Sequence, residues 1–267
     1  MKKFIKSLIP PIIFDILKKI KSNKYGWKGE YKTWKDAQDV STGYDSDEIL
    51  QKVRNSLLKV KNGEAVYERD SVIFDEIQYS WPLLAGLMFA CAKSGGVLNV
   101  LDFGGSLGST YFQNKKFLDN ISKVSWSVVE QNHFVDVGKI DFQDDRLKFY
   151  YDIKTCKKEQ NPNILLLSSV LQYIEKPYEL MEEILKNDFE FIIIDRTPFS
   201  IKSKIKLQIV PSQIYNASYP CWFFDESEFL NFFKIKGYKI VEDFDALDGY
   251  SNEYEFKGFI LEKVTNV

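Results

Sequence analysis

Histidine, cysteine and arginine are all scarce in this chain of 267 residues. One histidine, His133, and three scattered cysteines, Cys91, Cys156 and Cys221, none in a CxxC pair, speak against a disulfide framework or a zinc cage and leave no ligand set for a metal. Sparse, unpaired thiols fit a reducing cytoplasm. Net charge is nearly missing as well: 36 Lys plus Arg against 38 Asp plus Glu leave −2, so nucleic acid is not an expected partner. A hydrophobic content of 45% with 28% charged residues is that of a globular chain, which sets aside disorder, collagen and coiled coil.

What is present is uneven. Aromatics are abundant, with 21 Phe, 15 Tyr and 5 Trp, enough for stacking surfaces as well as a core, although core filling alone also accounts for them. Arginine occurs only as Arg54, Arg69, Arg146 and Arg196 in an otherwise lysine-based chain, so a planar fork is expected to matter at some of these sites. The charge is polarised: residues 1–24 hold seven lysines and one aspartate, +6, which leaves −8 on the remainder. Lys6, the Pro10-Pro11 pair and Asp15 interrupt the apolar run, so it reads neither as a secretory signal nor as a membrane span. After the prolines, Ile12, Ile13, Phe14, Ile16, Leu17 and Ile20 face away from Asp15, Lys18 and Lys19, as in an amphipathic helix. Such a basic stripe suits the inner face of the cytoplasmic membrane; packing on its own domain or on a partner subunit is the alternative. The oligomeric state is not legible.

Three regions follow: the basic helix at 1–24, a helical extension at 25–95, and an α/β domain at 96–267. In the second, Ile49, Leu50, Val53, Leu57 and Leu58 give a helix over Ser46–Val60, and a further helix is expected over Ser71–Lys93. Between them VYERD places Arg69 among acids, which a surface ion pair would also explain. From Gly96 short apolar runs alternate with helices: Leu98–Phe103, Val124–Glu130, Leu147–Tyr151, Ile164–Leu167 and Phe189–Asp195 read as buried parallel strands. A long insertion, Pro198–Trp222, precedes a helix that Asp225 can cap with Glu228 three positions on. The strands Tyr238–Asp243 and Tyr254–Glu262 are joined by a polar loop, Asp245–Glu253, too short for a crossover, so they must run antiparallel.

The chemistry concentrates in VLNVLDFGGSLGSTYF. A strand ends in Asp102, a turn follows at Gly104, Gly105 and Gly108, and a helix begins near Ser109. Glycines let the backbone turn sharply and let a ligand approach its amides, and the helix start offers N–H donors. The next strand ends in Glu130, where a carboxylate can accept both ribose hydroxyls of an adenosine ligand.

The DxGxGxG spacing resembles motif I of class I S-adenosylmethionine-dependent methyltransferases. Ser106 departs from it, standing at the usual middle glycine, which would either tighten the loop or mark a decayed site. Read together, YERDSVIF, DFGGSLGSTYFQN, VVEQ, SSVLQYIEKPYEL, IIIDRTPF and QIVPSQIYNASYPCW resemble a family of methyltransferases associated with bacterial surface-polysaccharide loci, of O-antigen or capsule, over about residues 25–265. The resemblance implies a Rossmann-like fold with a mostly parallel seven-stranded sheet and an antiparallel last strand, S-adenosylmethionine as cofactor, and O-methylation of a sugar or sugar-linked acceptor.

It also implies roles. Gly104, Gly105, Ser106 and Gly108, above Asp102, would hold the methionine part; Glu130 the ribose; Gln131 the adenine side. Asp152 is placed for the adenine amine, or is a solvated acid. Ser168 and Ser169 would line the transfer slot, or cap a helix. Arg69 would pair the cofactor carboxylate. Asp195 is the candidate base or substrate hook, with Arg196 beside it as a rival ion-pair partner, and His133 is the other candidate base or a surface residue. Tyr173, Tyr215, Tyr219 and Trp222 would wall the acceptor pocket, or form a hydrophobic lid. Two other functions compete: a non-catalytic scaffold of this fold in a glycan-synthesis complex, and a nicotinamide-dependent Rossmann enzyme.

Overall fold

The computed structural model describes residues 25–43, 46–214 and 216–264. The amphipathic helix expected at 1–24, and Tyr215, lie outside the described residues. In chain order the elements are β1 (Gly26–Tyr31), α1 (Trp34–Asp39), α2 (Ser46–Lys61), β2 (Tyr67–Arg69), β3 (Val72–Phe74), α3 (Trp81–Lys93), β4 (Val97–Phe103) and α4 (Ser109–Leu118). They continue as β5 (Lys123–Val129), α5 (Asn132–Asp141), β6 (Leu147–Tyr150), α6 (Ile153–Gln160), β7 (Ile164–Ser168), a 3-10 turn (Leu171–Tyr173) and α7 (Pro177–Leu185). The last are β8 (Phe191–Ser200), β9 (Lys204–Ile209), β10 (Ser218–Asp225), α8 (Glu226–Ile235), β11 (Tyr238–Tyr250) and β12 (Glu255–Lys263).

The chain divides into two compact units, one of Met1–Asp45 with Ile205–Cys221 and a larger one of Ser46–Lys204 with Trp222–Val267. In the smaller unit β1 pairs antiparallel with β9, Trp27 opposite Gln208. Thr33 and Asp36 exchange hydrogen bonds as a capping box at the start of α1, each 3.1 Å.

In the larger unit seven strands lie in the order β6-β5-β4-β7-β8-β12-β11, with β4 to β8 parallel and β12 antiparallel to both of its neighbours. The apolar runs of β4, β5, β7 and β8 suit a sheet covered on both faces, since most of their residues are buried. Under one face lies an aromatic-rich cluster including Phe189, Phe199, Phe224, Phe229, Phe233 and Phe259, so much of the aromatic excess is core. The register sets Asp102 beside Leu166 and Ser168 beside Asp195, which brings the ends of three strands to one edge. Asp225 caps α8 by accepting from the Glu228 N–H at 3.1 Å, as expected.

The structure corrects three expectations. Ser71–Lys93 is not one helix: Tyr67–Arg69 and Val72–Phe74 form a hairpin, turned by Asp70 and Ser71 at φ 52° and 68°, and the helix starts only at Trp81, where Pro82 lies in its first turn. Aromatic and β-branched residues on both sides of a two-residue turn outweigh the helical spacing. Most of the expected loop Asp245–Glu253 is strand, because β11 runs on to Tyr250 past a register shift. The stretch 198–222 holds the end of β8, all of β9 and part of β10. Among the described residues no helix is long and apolar enough to cross a membrane.

Candidate active site

The glycine loop after β4 is held by its surroundings. Gly104 has φ +71° and donates its N–H to the Val129 carbonyl at 2.9 Å, and a Cβ there would stand 2.4 Å from Val170 Cγ2. A Cβ on Gly105 would stand 2.4 Å from Asp102 Cγ. Asp102 is therefore pressed beneath the loop backbone, buried, accepting from Trp126 Nε1 at 3.1 Å, and burial pushes its carboxyl up to about 7. Its position makes it a support of the loop. Ser106 answers the question its sequence position raises. It takes the left-handed conformation, φ 55°, that glycine adopts freely, at a cost of about 1 kcal/mol, so the turn is kept. Gly108, φ +92°, then starts α4.

Glu130 directly follows β5 beside this loop and is half-buried. Burial raises its pKa, opposed by hydrogen bonds from the N–H groups of Gln131, at 2.6 Å, and Ser106. The proposed ribose acid and the glycine loop are thus in direct contact. Gln131 is exposed at the start of α5. His133 packs on Phe134 with the rings tilted by 58° and their centroids 5.0 Å apart, and its Nε2 is buried with no hydrogen-bond partner. Asp152 uses both oxygens as the cap of α6, accepting from Thr155 N at 2.8 Å and Thr155 Oγ1 at 2.9 Å, and these bonds lower its pKa.

At the ends of β7 and β8, Ser169 has φ 55°, donates its N–H to the Asp195 carbonyl at 3.0 Å, and accepts from Gln172 Nε2 at 3.1 Å. The capping alternative for this serine does not hold, since Val170 occupies the cap of the 3-10 turn and no side chain bonds there. Tyr173, in the same turn, is half-buried. Asp195 is 2% exposed; burial pushes its carboxyl up to about 6 against the charge of Arg196 and hydrogen bonds with the Arg196 N–H and the Ser80 side chain, and its Oδ1 has no partner. The Arg196 side chain does not bond to it. Its guanidinium clasps Asp248 through Nε at 2.8 Å and Nη2 at 3.1 Å, and Nη2 reaches Asp70 at 2.9 Å, on a backbone at φ 54°. The turn away from the sheet carries this side chain to acids 126 and 52 positions distant, out of reach of any local spacing rule.

The β2–β3 hairpin supplies the residue that sequence reasoning missed. Arg69 lies with its guanidinium 5.7 Å from the Phe74 ring centroid, and its buried Nη1 has no hydrogen-bond partner. Its neighbour Glu68 is 2% exposed, accepts from Ser109 Oγ at 2.8 Å and Ser71 N at 3.0 Å, and is pushed by burial up to about 7. The only signal was alternation within a three-residue strand, which puts Glu68 and Arg69 on opposite faces. The hairpin is thus bonded to Ser109, at the start of α4, through Glu68, and to Arg196 of β8 through its turn residue Asp70.

No protein-family model matches the chain, and no curated protein matches its sequence. Among solved structures, the N-terminal domain of EvdMO1 crystallised with SAH (S-adenosylhomocysteine) and D-fucose aligns with a TM-score of 0.50 at 12% identity, covering 83% of this chain and 98% of that one. The 1,6-didemethyltoxoflavin-N1-methyltransferase of Burkholderia thailandensis gives 0.47 at 12% identity, covering 84% and 92%. The fold is that of class I methyltransferases. In this fold the sheet order and the antiparallel β12 are the expected ones, and the glycine loop, Glu130, Ser169 and Asp195 share the carboxyl edge where open α/β sheets bind ligands. A cleft at the opposite edge, lined by Val97, Asn99, Lys123 and Arg146 among others, contains no acid. Trp222 donates Nε1 to the Glu175 carbonyl at 3.2 Å and stacks on Phe224 at 6.4 Å. Tyr219 belongs to the smaller unit, half-buried on β10.

Proposed function

We propose that this protein is an S-adenosylmethionine-dependent methyltransferase acting on a hydroxyl of a sugar or sugar-linked group in surface-polysaccharide biosynthesis. The observation that carries the reading is the cradle at the carboxyl edge, where side chains are excluded at Gly104 and Gly105 and Glu130 is tied to the Ser106 amide. This arrangement fits S-adenosylmethionine: the loop leaves room for the methionine part, Glu130 accepts from the ribose, Gln131 lies on the adenine side, and the unpartnered Arg69 Nη1 offers a donor to the carboxylate. When bound, the cofactor supplies a methyl carbon on a sulfonium, which leaves with its bonding pair remaining on sulfur.

The chain's own work is to align an acceptor oxygen and to hold its proton. Asp195 is the base: it stands at the end of β8, and above about pH 6 its carboxylate is ionised and able to take the hydroxyl proton. Ser168 and Ser169 line the transfer slot, and Tyr173 and Trp222 offer aromatic faces of the kind that suit a sugar ring. A sugar acceptor also accords with the EvdMO1 domain, which was crystallised with D-fucose. The +6 segment at 1–24 would bring the enzyme to the inner face of the membrane, where lipid-linked glycans are assembled. Calorimetry with SAH is the first test, and micromolar binding is expected. Absence of binding at millimolar SAH, or stabilisation by a nicotinamide cofactor instead, overturns the reading. Mass spectrometry of surface polysaccharide from cells with and without the gene then looks for loss of one methyl. Methylation that survives Glu130→Ala in cells favours a scaffold.

A further inference from the structure

Two acceptor atoms at the carboxyl edge are buried without a protein donor among the described residues, Asp195 Oδ1 and Gln172 Oε1. Gln172 is 0% exposed and Asp195 2%. They belong to one network. Gln172 Nε2 donates to the carbonyl of Arg196, the residue after Asp195, and to Ser169 Oγ, both at 3.1 Å, while Ser169 N donates to the Asp195 carbonyl at 3.0 Å. The Arg196 carbonyl can only accept, which fixes the amide: nitrogen toward that carbonyl, oxygen left over. The β2–β3 hairpin is bonded at Ser109 and at Arg196.

We propose that Gln172 and Asp195 form a paired acceptor station for two hydroxyl donors of the methyl acceptor, with Gln172 the residue that sets specificity for a polyhydroxylated ring. This rests on the methyltransferase reading above and deepens it. Buried acceptors with no donor are costly until a ligand supplies one, and a site built to bond a hydroxyl discriminates strongly against an analogue lacking it. The required donors are neutral hydroxyls. An apolar or phenolic ring would leave at least one of the two oxygens unpaired.

The test uses the full chain loaded with SAH and a fixed set of methyl pyranosides, of gluco, galacto and manno configuration and their 6-deoxy forms, read by saturation-transfer NMR. At least one pyranoside is expected to bind, and removing each of two neighbouring ring hydroxyls in turn is expected to weaken it tenfold or more. Gln172→Met is expected to weaken the same pyranoside at least tenfold, with SAH affinity within twofold of the parent. Absence of contact by every pyranoside on the SAH-loaded protein, or monodeoxy analogues that bind as well as the parent sugar, overturns the proposal. So does a folded Gln172→Met that binds unchanged. Should that variant not fold, the deoxy series on the parent protein decides. Failure of SAH itself to bind is a different result, and removes the methyltransferase reading on which the station rests.

Discussion

The two edges of the larger unit's sheet are made by the same strands and differ in how they treat charge. All three buried carboxylates among the described residues, Glu68, Asp102 and Asp195, stand at or over the carboxyl edge, and burial raises the pKa of each. Ser106, Ser169 and Arg196 hold left-handed backbone there, as Asn161 and Asp188 do at the amino edge, so the contrast lies in the acids. At the amino edge Asp188 and Glu190 are exposed, and the buried Tyr238 hydroxyl donates to the Phe189 carbonyl at 2.7 Å. Folding alone gives no reason for such an asymmetry, since a buried acid opposes stability. Cost concentrated at one edge marks the edge that has been shaped for a ligand.

The largest effect that would test this contrast is at Gly105. Gly105→Val places side-chain atoms where the Asp102 carboxyl sits, and SAH affinity measured by calorimetry is expected to fall at least a hundredfold, with a lower melting temperature. Next is Asp195→Asn: methyl transfer is expected to fall about 10²–10⁴-fold while SAH binding stays within twofold and the melting temperature does not fall, because a buried charge is removed. In the parent enzyme the rate should rise with pH through about 6 as that carboxylate ionises.

Stability should move the opposite way. Asp102, Glu68 and Asp195 hold their protons to higher pH folded than unfolded, so between about pH 4 and 7 the unfolded chain binds fewer protons and stability falls as pH rises. Scanning calorimetry should place the melting temperature at pH 5 several degrees, about 5 °C, above that at pH 8. Asp102→Asn should flatten the slope. Ser106→Gly relieves the left-handed strain and should gain about 1 kcal/mol in denaturant unfolding, with SAH affinity within threefold. The smallest effect is the control at the amino edge: exposed Lys123→Ala should change stability by less than about 0.5 kcal/mol and SAH affinity not measurably. A large effect there would dissolve the contrast between the edges.

Legibility in the sequence followed distance along the chain. The glycine loop, Glu130, the Asp225 cap and the antiparallel closing strands could be read because each depends on residues within one strand–turn–helix or hairpin. Glu68 could not, since its burial depends on Ser109, 41 positions away. Nor could the use made of Arg196, whose fork spans Asp70 and Asp248 rather than the adjacent Asp195. Gln172 drew no notice because an amide in a short polar stretch has no pattern of its own; its meaning lies in a carbonyl 24 positions on.

What the sequence determined by itself was the succession of strands and helices and the position of the glycine turn, because hydrophobic period and backbone freedom act over a few residues. Only the tertiary structure decided which acids lose their water, which side chain each arginine meets, and that Ser106 keeps the turn of a glycine. Burial, charge pairing and tolerated strain are properties of the packed surroundings, assembled from segments that the chain order keeps far apart.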